Sequence, residues 1–253
     1  MTNKLKYFVG NWKMFGDFKS IKIIYKIHSF YKNSKFSRLK NKIIFCVPNT
    51  LIYLFNKKLK SKLIHIGGQN CYHKEEYGPY TGAVSSAMIK RAGAEYLILG
   101  HSENRSDGDT NLLIEKKVKL ALKQKIKVIF CIGETLKEKN KGKKFYVLKK
   151  QINDSIKKNL DLKNIIIAYE PVWSIGTSKI PNANELKKTF VFIKNYFKKK
   201  FRTKKHPIVL YGGSVNHKNI RMFSFIPEID GFLIGGASQS SKKFIDIIKN
   251  YYK

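Results

Sequence analysis

The sequence is poor in arginine, alanine and acid. Of its 253 residues, 5 are arginine, 8 are alanine and 17 are aspartate or glutamate. Its 3 cysteines, Cys46, Cys71 and Cys131, show no CxxC and no Cys/His spacing, which speaks against a disulfide framework or a zinc-type site. The 6 histidines are scattered and none belongs to an HExxH pair, so no metal site is expected. No stretch approaches the roughly 18 apolar residues of a membrane span. The opening segment MTNKLKYFVGNWKMF is broken by charge too early for a signal-peptide apolar region. Cys46 and Cys131 lie inside the apolar runs IIFCV and VIFCI. Buried, reduced thiols in a cytoplasmic protein are the expectation.

Lysine is what the chain has instead. There are 46, and the 51 basic residues against 17 acids leave a formal charge of +34. Such a charge first suggests a nucleic-acid binder. There is no zinc finger, RNP motif or concentrated basic tail to go with it, so no specific nucleic-acid partner is expected. Isoleucine (31) and asparagine (19) are frequent alongside lysine. Lysine, isoleucine, asparagine, phenylalanine and tyrosine are the products of A- and T-rich codons, and drift in base composition accounts for much of the charge on this hypothesis. A G- and C-rich gene would contradict it. Hydrophobic residues at 43% and aromatics at 13% are enough to build a large core.

Short β-rich runs recur along the chain: Tyr7–Trp12, Lys42–Val47, Leu63–Gly68, Tyr96–Gly100, Val128–Ile132, Ile165–Tyr169, Ile208–Tyr211 and Gly231–Ile234. Most are continuously apolar, the pattern of parallel strands covered on both faces. Helical patterns lie between them. Over Asn111–Gln124, Leu112, Leu113, Val118, Leu120, Ala121 and Leu122 stand among lysines. Over Glu185–Lys200, Leu186, Phe190, Ile193 and Phe197 recur at helical spacing, behind a capping-box-like Asn182 and Glu185. Most lysines fall on the polar faces of such helices. Eight strands alternating with helices over about 250 residues predict an α/β chain folded as one closed (β/α)8 TIM barrel spanning 1–253. The count rests on accepting the weak runs 63–68 and 231–234. An open doubly wound sheet is the alternative at this stage.

In a barrel, chemistry sits at the C-terminal ends of the strands. Those ends carry Asn11-Trp12-Lys13, His101-Ser102-Glu103, Glu170, Gly212-Gly213-Ser214 and Gly235-Gly236. A lysine, a histidine and a carboxylate thus converge on one mouth. Glycines after the last two strands suit a phosphate held by backbone N–H groups.

In order and spacing, VGNWKM, YTGAVS, LGHSENR, CIGET, AYEPVWSIGTSK, YGGSV and IGGAS resemble the motifs of the triosephosphate isomerase family, from about Asn11 to Ser238. The resemblance implies a cofactor-free exchange of a proton between two carbons of a triose phosphate, through an enediol(ate), in glycolysis and gluconeogenesis. It implies Glu170 as base and a neutral His101 as electrophile. Lys13 and Asn11 would stabilise the developing oxyanion. Phosphate would be held by backbone N–H groups of Gly176, Ser214, Gly235 and Gly236, under a mobile lid, 171–181, that shuts out water. Glu103 matches a carboxylate that steadies Lys13, and Cys131 one that packs beside the site. Thr81 matches the tip of a loop that enters the neighbouring subunit, so a homodimer is implied.

Several positions depart from the family pattern. Ser174 and Ser178 stand where alanine and glycine are usual. Pro181 stands where alanine supplies an N–H to the hydroxyl matching Tyr211, and proline has none. A lid less firmly shut is the expectation. Asn104 and Ala83 replace an arginine and a glutamate that pair across the dimer, and Phe15 replaces a polar residue nearby. Loss of both partners together leaves no orphaned charge, so a dimer of reduced strength is expected.

Overall fold

The computed structural model describes residues 4–59, 63–74, 76–177 and 179–253. Eight strands form a closed parallel barrel in chain order: β1 (Lys6–Asn11), β2 (Asn41–Cys46), β3 (Ile64–Gly68), β4 (Tyr96–Leu99), β5 (Lys127–Ile132), β6 (Ile165–Tyr169), β7 (Ile208–Tyr211) and β8 (Gly231–Ile234). β8 closes on β1, with Tyr7 opposite Gly231 and Gly10 opposite Ile234. All eight predicted runs are strands, the two weak ones included, so the open sheet is excluded.

The continuous apolar runs arise because each strand packs on both faces. Tyr7, Val9, Ile44, Cys46, Ile98, Ile129, Cys131, Ala168, Leu210 and Leu233 fill the barrel interior. The alternate residues, such as Phe8, Phe45, Phe130, Tyr169 and Phe232, face outward into the larger core shared with the helices. All three cysteines are free and buried.

The outer helices follow their patterns with two corrections. In Asn111–Lys123 the buried face is Ile114, Lys117, Val118 and Ala121, while Leu112 is exposed. Residues in a continuous apolar run point around the helix, and the 3.6-residue period turns 114, 117, 118 and 121 inward. Lys117 lies on that face because its ammonium is held by Asp109 at 2.6 Å and Asn70 at 3.0 Å. In Ala183–Phe201 the Asn182 side chain accepts the Glu185 N–H at 2.8 Å, as expected of a cap. Glu185 completes no box. Its carboxylate binds Lys144 at 2.5 Å and Lys139 at 3.2 Å. No helix among the described residues is long and apolar enough to cross a membrane.

Candidate active site

At the C-terminal mouth, β1 ends on Asn11 and the chain turns sharply at Lys13, whose φ is +56°. A side-chain-bearing residue pays roughly 1–2 kcal/mol for left-handed backbone. The Asn11 side-chain oxygen offsets part of this by accepting the Lys13 N–H at 3.1 Å. The turn aims the lysine inward, and its ammonium pairs with the Glu103 carboxylate. Trp12, fully buried, donates its indole N–H to the Ser238 carbonyl at 3.1 Å and so fastens β1 to the segment after β8.

His101 follows β4 and caps the short helix Ser102–Ser106. Its Nδ1 accepts the Glu103 N–H at 3.2 Å. A lone pair engaged by an N–H carries no proton, which leaves Nε2 as the ring nitrogen that bears one. Nε2 faces Glu170 Oε1 at 3.3 Å. Both residues are almost fully buried. Burial pushes the Glu170 carboxyl above the usual glutamate range, against the opposing pull of His101, the Ser102 N–H, the Cys131 thiol and Lys13. Cys131 is itself fully buried, and burial drives its thiol well above the ordinary cysteine value, which suits a packing role and not a nucleophile.

Asn11, Lys13, His101, Glu170, Gly176, Ser214, Gly235 and Gly236 all line one cavity of about 660 Å³. Ile175 and Gly176, from the stretch expected to form a lid, also line it; Ser178 lies outside the described residues. Ser238 fixes the glycine turn after β8 through its N–H and hydroxyl, which both donate to the Gly235 carbonyl, at 2.8 and 2.7 Å. Glu103 borders a smaller hollow of about 290 Å³ on the far side of Lys13, together with Met14, Gln69 and Asn104. Thr81 stands apart from both cavities, exposed on a turn closed by the Ala83 N–H to the Tyr80 carbonyl at 3.0 Å. Phe15 packs edge-on against Trp12, with ring centroids 5.7 Å apart.

Tyr211, at the end of β7, is fully buried, and its hydroxyl meets the Ser174 hydroxyl at 3.2 Å. Pro181 has therefore not left this hydroxyl without a partner. Just after Glu170, Trp173 donates its indole N–H to Glu134 at 3.0 Å, on the same oxygen that takes the Tyr169 hydroxyl at 3.1 Å.

Sequence reasoning missed several contributors. Lys218 and Lys243 line the main cavity with His217, although Lys13 alone among the lysines was expected there. Gly133 and Gly212 make room for the carboxylate residue. A Cβ on Gly133 would fall 1.7 Å from the Glu170 carbonyl oxygen, and one on Gly212 2.8 Å from Glu170 Cγ. The motifs CIGET and YGGSV contain these glycines, but only the folded barrel brings them against Glu170.

A closed parallel barrel with a cavity at the C-terminal mouth, lined by a lysine, a histidine and a buried glutamate, defines an α/β-barrel enzyme. The family model described as triosephosphate isomerase matches residues 6–251. The chain is 38% identical over 247 residues to the triosephosphate isomerase of Yarrowia lipolytica, covering 96% of this chain and 98% of that protein. It is 36% identical to that of Bartonella bacilliformis over the whole length of both. The crystal structure of triosephosphate isomerase from Bartonella henselae superimposes with a TM-score of 0.88 at 33% identity, covering 98% and 99% of the two chains. The chain belongs to the triosephosphate isomerase family and is an isomerase.

Proposed function

We propose that the chain interconverts dihydroxyacetone phosphate and D-glyceraldehyde 3-phosphate by proton transfer through an enediol(ate), as a step of glycolysis and gluconeogenesis in the cytoplasm. The observation that carries this reading is the meeting of Glu170, the Nε2–H of His101, Lys13 and Asn11 in one cavity, with glycine-rich turns at its other end. The Glu170 carboxylate takes a proton from the carbon beside the carbonyl. Its burial makes it a stronger base than an exposed glutamate. Negative charge then builds on the carbonyl oxygen, where the His101 N–H, the Lys13 ammonium and the Asn11 amide stabilise it. His101 passes a proton between the two oxygens, and Glu170 returns its proton to the neighbouring carbon. Every proton removed is given back, so no cofactor is required. Backbone N–H groups of Gly176, Ser214, Gly235 and Gly236 anchor the phosphate, and the stretch 171–181 closes over it. Glu103 keeps Lys13 in place.

The working form in this proposal is a homodimer. Met14, on the hollow beside Lys13, is fully exposed, and Tyr77 and the Thr81 turn are exposed as well, as residues awaiting a partner surface would be. A partner's Thr81 would fill the hollow beside Lys13 and Glu103. With Asn104 and Ala83 carrying no charge, this dimer is weaker than a charge-paired one. Sedimentation over a dilution series is expected to show dissociation near micromolar concentration, and a dimer intact far below it would contradict the weakening.

A coupled assay of D-glyceraldehyde 3-phosphate turnover tests the activity, with Glu170→Gln as the comparison. The variant is expected to lose about 10²–10⁴-fold in kcat with KM little changed, the usual worth of a positioned base. A parent chain no faster than Glu170→Gln would rule the function out.

A further inference from the structure

Ser174 is fully buried at the foot of the lid, and its hydroxyl makes three contacts. Oγ lies 2.5 Å from the Lys179 carbonyl oxygen, 3.2 Å from the Tyr211 hydroxyl and 3.4 Å from the Ser214 N–H. A serine hydroxyl has one proton to give and two lone pairs. A carbonyl can only accept, so that proton goes to Lys179. The Tyr211 hydroxyl and the Ser214 N–H must then both donate to Ser174. One oxygen is thus saturated, and it joins four segments: the incoming limb of the lid at 174, the outgoing limb at 179, the end of β7 at Tyr211 and the turn that carries Ser214.

Two further features point the same way. A Cβ on Gly213 would fall 2.3 Å from the Tyr211 hydroxyl oxygen and 2.8 Å from Ser174 Oγ, so a glycine keeps open the space in which the two hydroxyls meet. On the outgoing limb, the buried Pro181 has no N–H to offer. Among the described contacts, Ser174 is the partner that Tyr211 has on the lid.

We propose that Ser174 is a positioning residue for the phosphate end of the site. Its hydroxyl clasps the two limbs of the lid to β7 and to the Ser214 turn, and so fixes where Gly176 and Ser214 present their N–H groups. This rests on the reading of the phosphate end given above. The neck fixes the base of the loop that carries Gly176, beside the Ser214 turn, and the anion meets donors already held in place. Without the hydroxyl, the Lys179 carbonyl and the Tyr211 hydroxyl lose their partner, the neck loosens and the anion must order it on binding.

Calorimetric titration with inorganic phosphate reads that end of the site without turnover. Ser174→Ala removes one oxygen atom and is expected to weaken phosphate binding by about three- to tenfold, the worth of a small neutral hydrogen-bond network. The KM for D-glyceraldehyde 3-phosphate is expected to rise by a like factor, with kcat within about twofold of the parent. Tyr211→Phe breaks the same clasp from the other side. The Ser174→Ala/Tyr211→Phe double variant is therefore expected to be no weaker than the worse single variant, a coupling that independent losses of packing would not produce. Phosphate affinity unchanged in Ser174→Ala overturns the proposal, as do losses that multiply in the double variant. The two readings fail separately. A parent chain inactive as an isomerase, with phosphate binding that still depends on Ser174, removes the proposed reaction and supports the clasp.

Discussion

Gly212 lines the cavity with no side chain, and the space this leaves is taken by Glu170. With a Cβ only 2.8 Å from Glu170 Cγ, Gly212→Ala must push the carboxylate out of line. A displacement on the order of 1 Å is enough to cost about 10²-fold in rate. Gly212→Ala is accordingly expected to lower kcat by about that factor, measured in the coupled assay, while far-UV circular dichroism stays that of the parent. The base also sets a pH limit. In the proposed reaction Glu170 acts as a carboxylate, and burial raises its pKa above the usual value, so kcat/KM is expected to fall on acidification at a higher pH than an exposed glutamate would dictate. A pH–rate profile flat down to the ordinary glutamate range would contradict this. The sign for stability is opposite. A group raised in the folded state contributes fully at acid pH, and that contribution is lost as pH rises through the raised value. Asn11, Lys13, His101 and Glu170 were legible in the sequence because each stands within two residues of a strand's C-terminal end, where the family motifs also fall, and strand ends gather at one mouth. Lys218 and Lys243 were not, because a lysine on a loop looks like any of the other lysines until the barrel turns it toward the cavity.

The helix Ala183–Phe201 shows how far single elements could be read. Leu186, Phe190, Ile193 and Phe197 are all buried, as their spacing required. Its cap was equally plain, since a side-chain oxygen ahead of a helix takes up an N–H that has no partner inside it. Asn182→Ala is expected to reduce stability by about 1 kcal/mol, read as a lower denaturant midpoint with an unchanged slope. What spacing could not give was the use of Glu185. Its charge goes to Lys139 and Lys144, on neighbouring elements, because a chain so rich in lysine offers a cation where a box would offer only a backbone N–H. Lys139 also lies 3.7 Å from the Trp173 ring centroid, and so links the Ala183–Phe201 helix to the segment that follows Glu170. Strands were the more legible elements, since burial on both faces leaves an unbroken apolar run. Helix faces were less so where apolar residues stood side by side, as Leu112 and Leu113 do.

Across the whole molecule, the charge of +34 surrounds a cavity proposed to take a dianion. The summed field draws such a substrate in, and salt screens it over about 10 Å at 0.1 M. We expect kcat/KM to decline as ionic strength rises from 10 to about 300 mM, chiefly through slower association, with kcat nearly constant. An increase would contradict steering. The barrel's closure has a separate cost during synthesis. β1 finds one of its two neighbours, β2, within a few dozen residues, but the other is β8, which begins at Gly231. At about 5–20 residues per second, the ribosome needs roughly 11–45 seconds to deliver it. Through that interval the first strand's outer edge stands open, ready to pair with the same strand of another nascent chain on the polysome. Like charge on neighbouring unfinished chains opposes that close approach at the moment when the missing strand cannot.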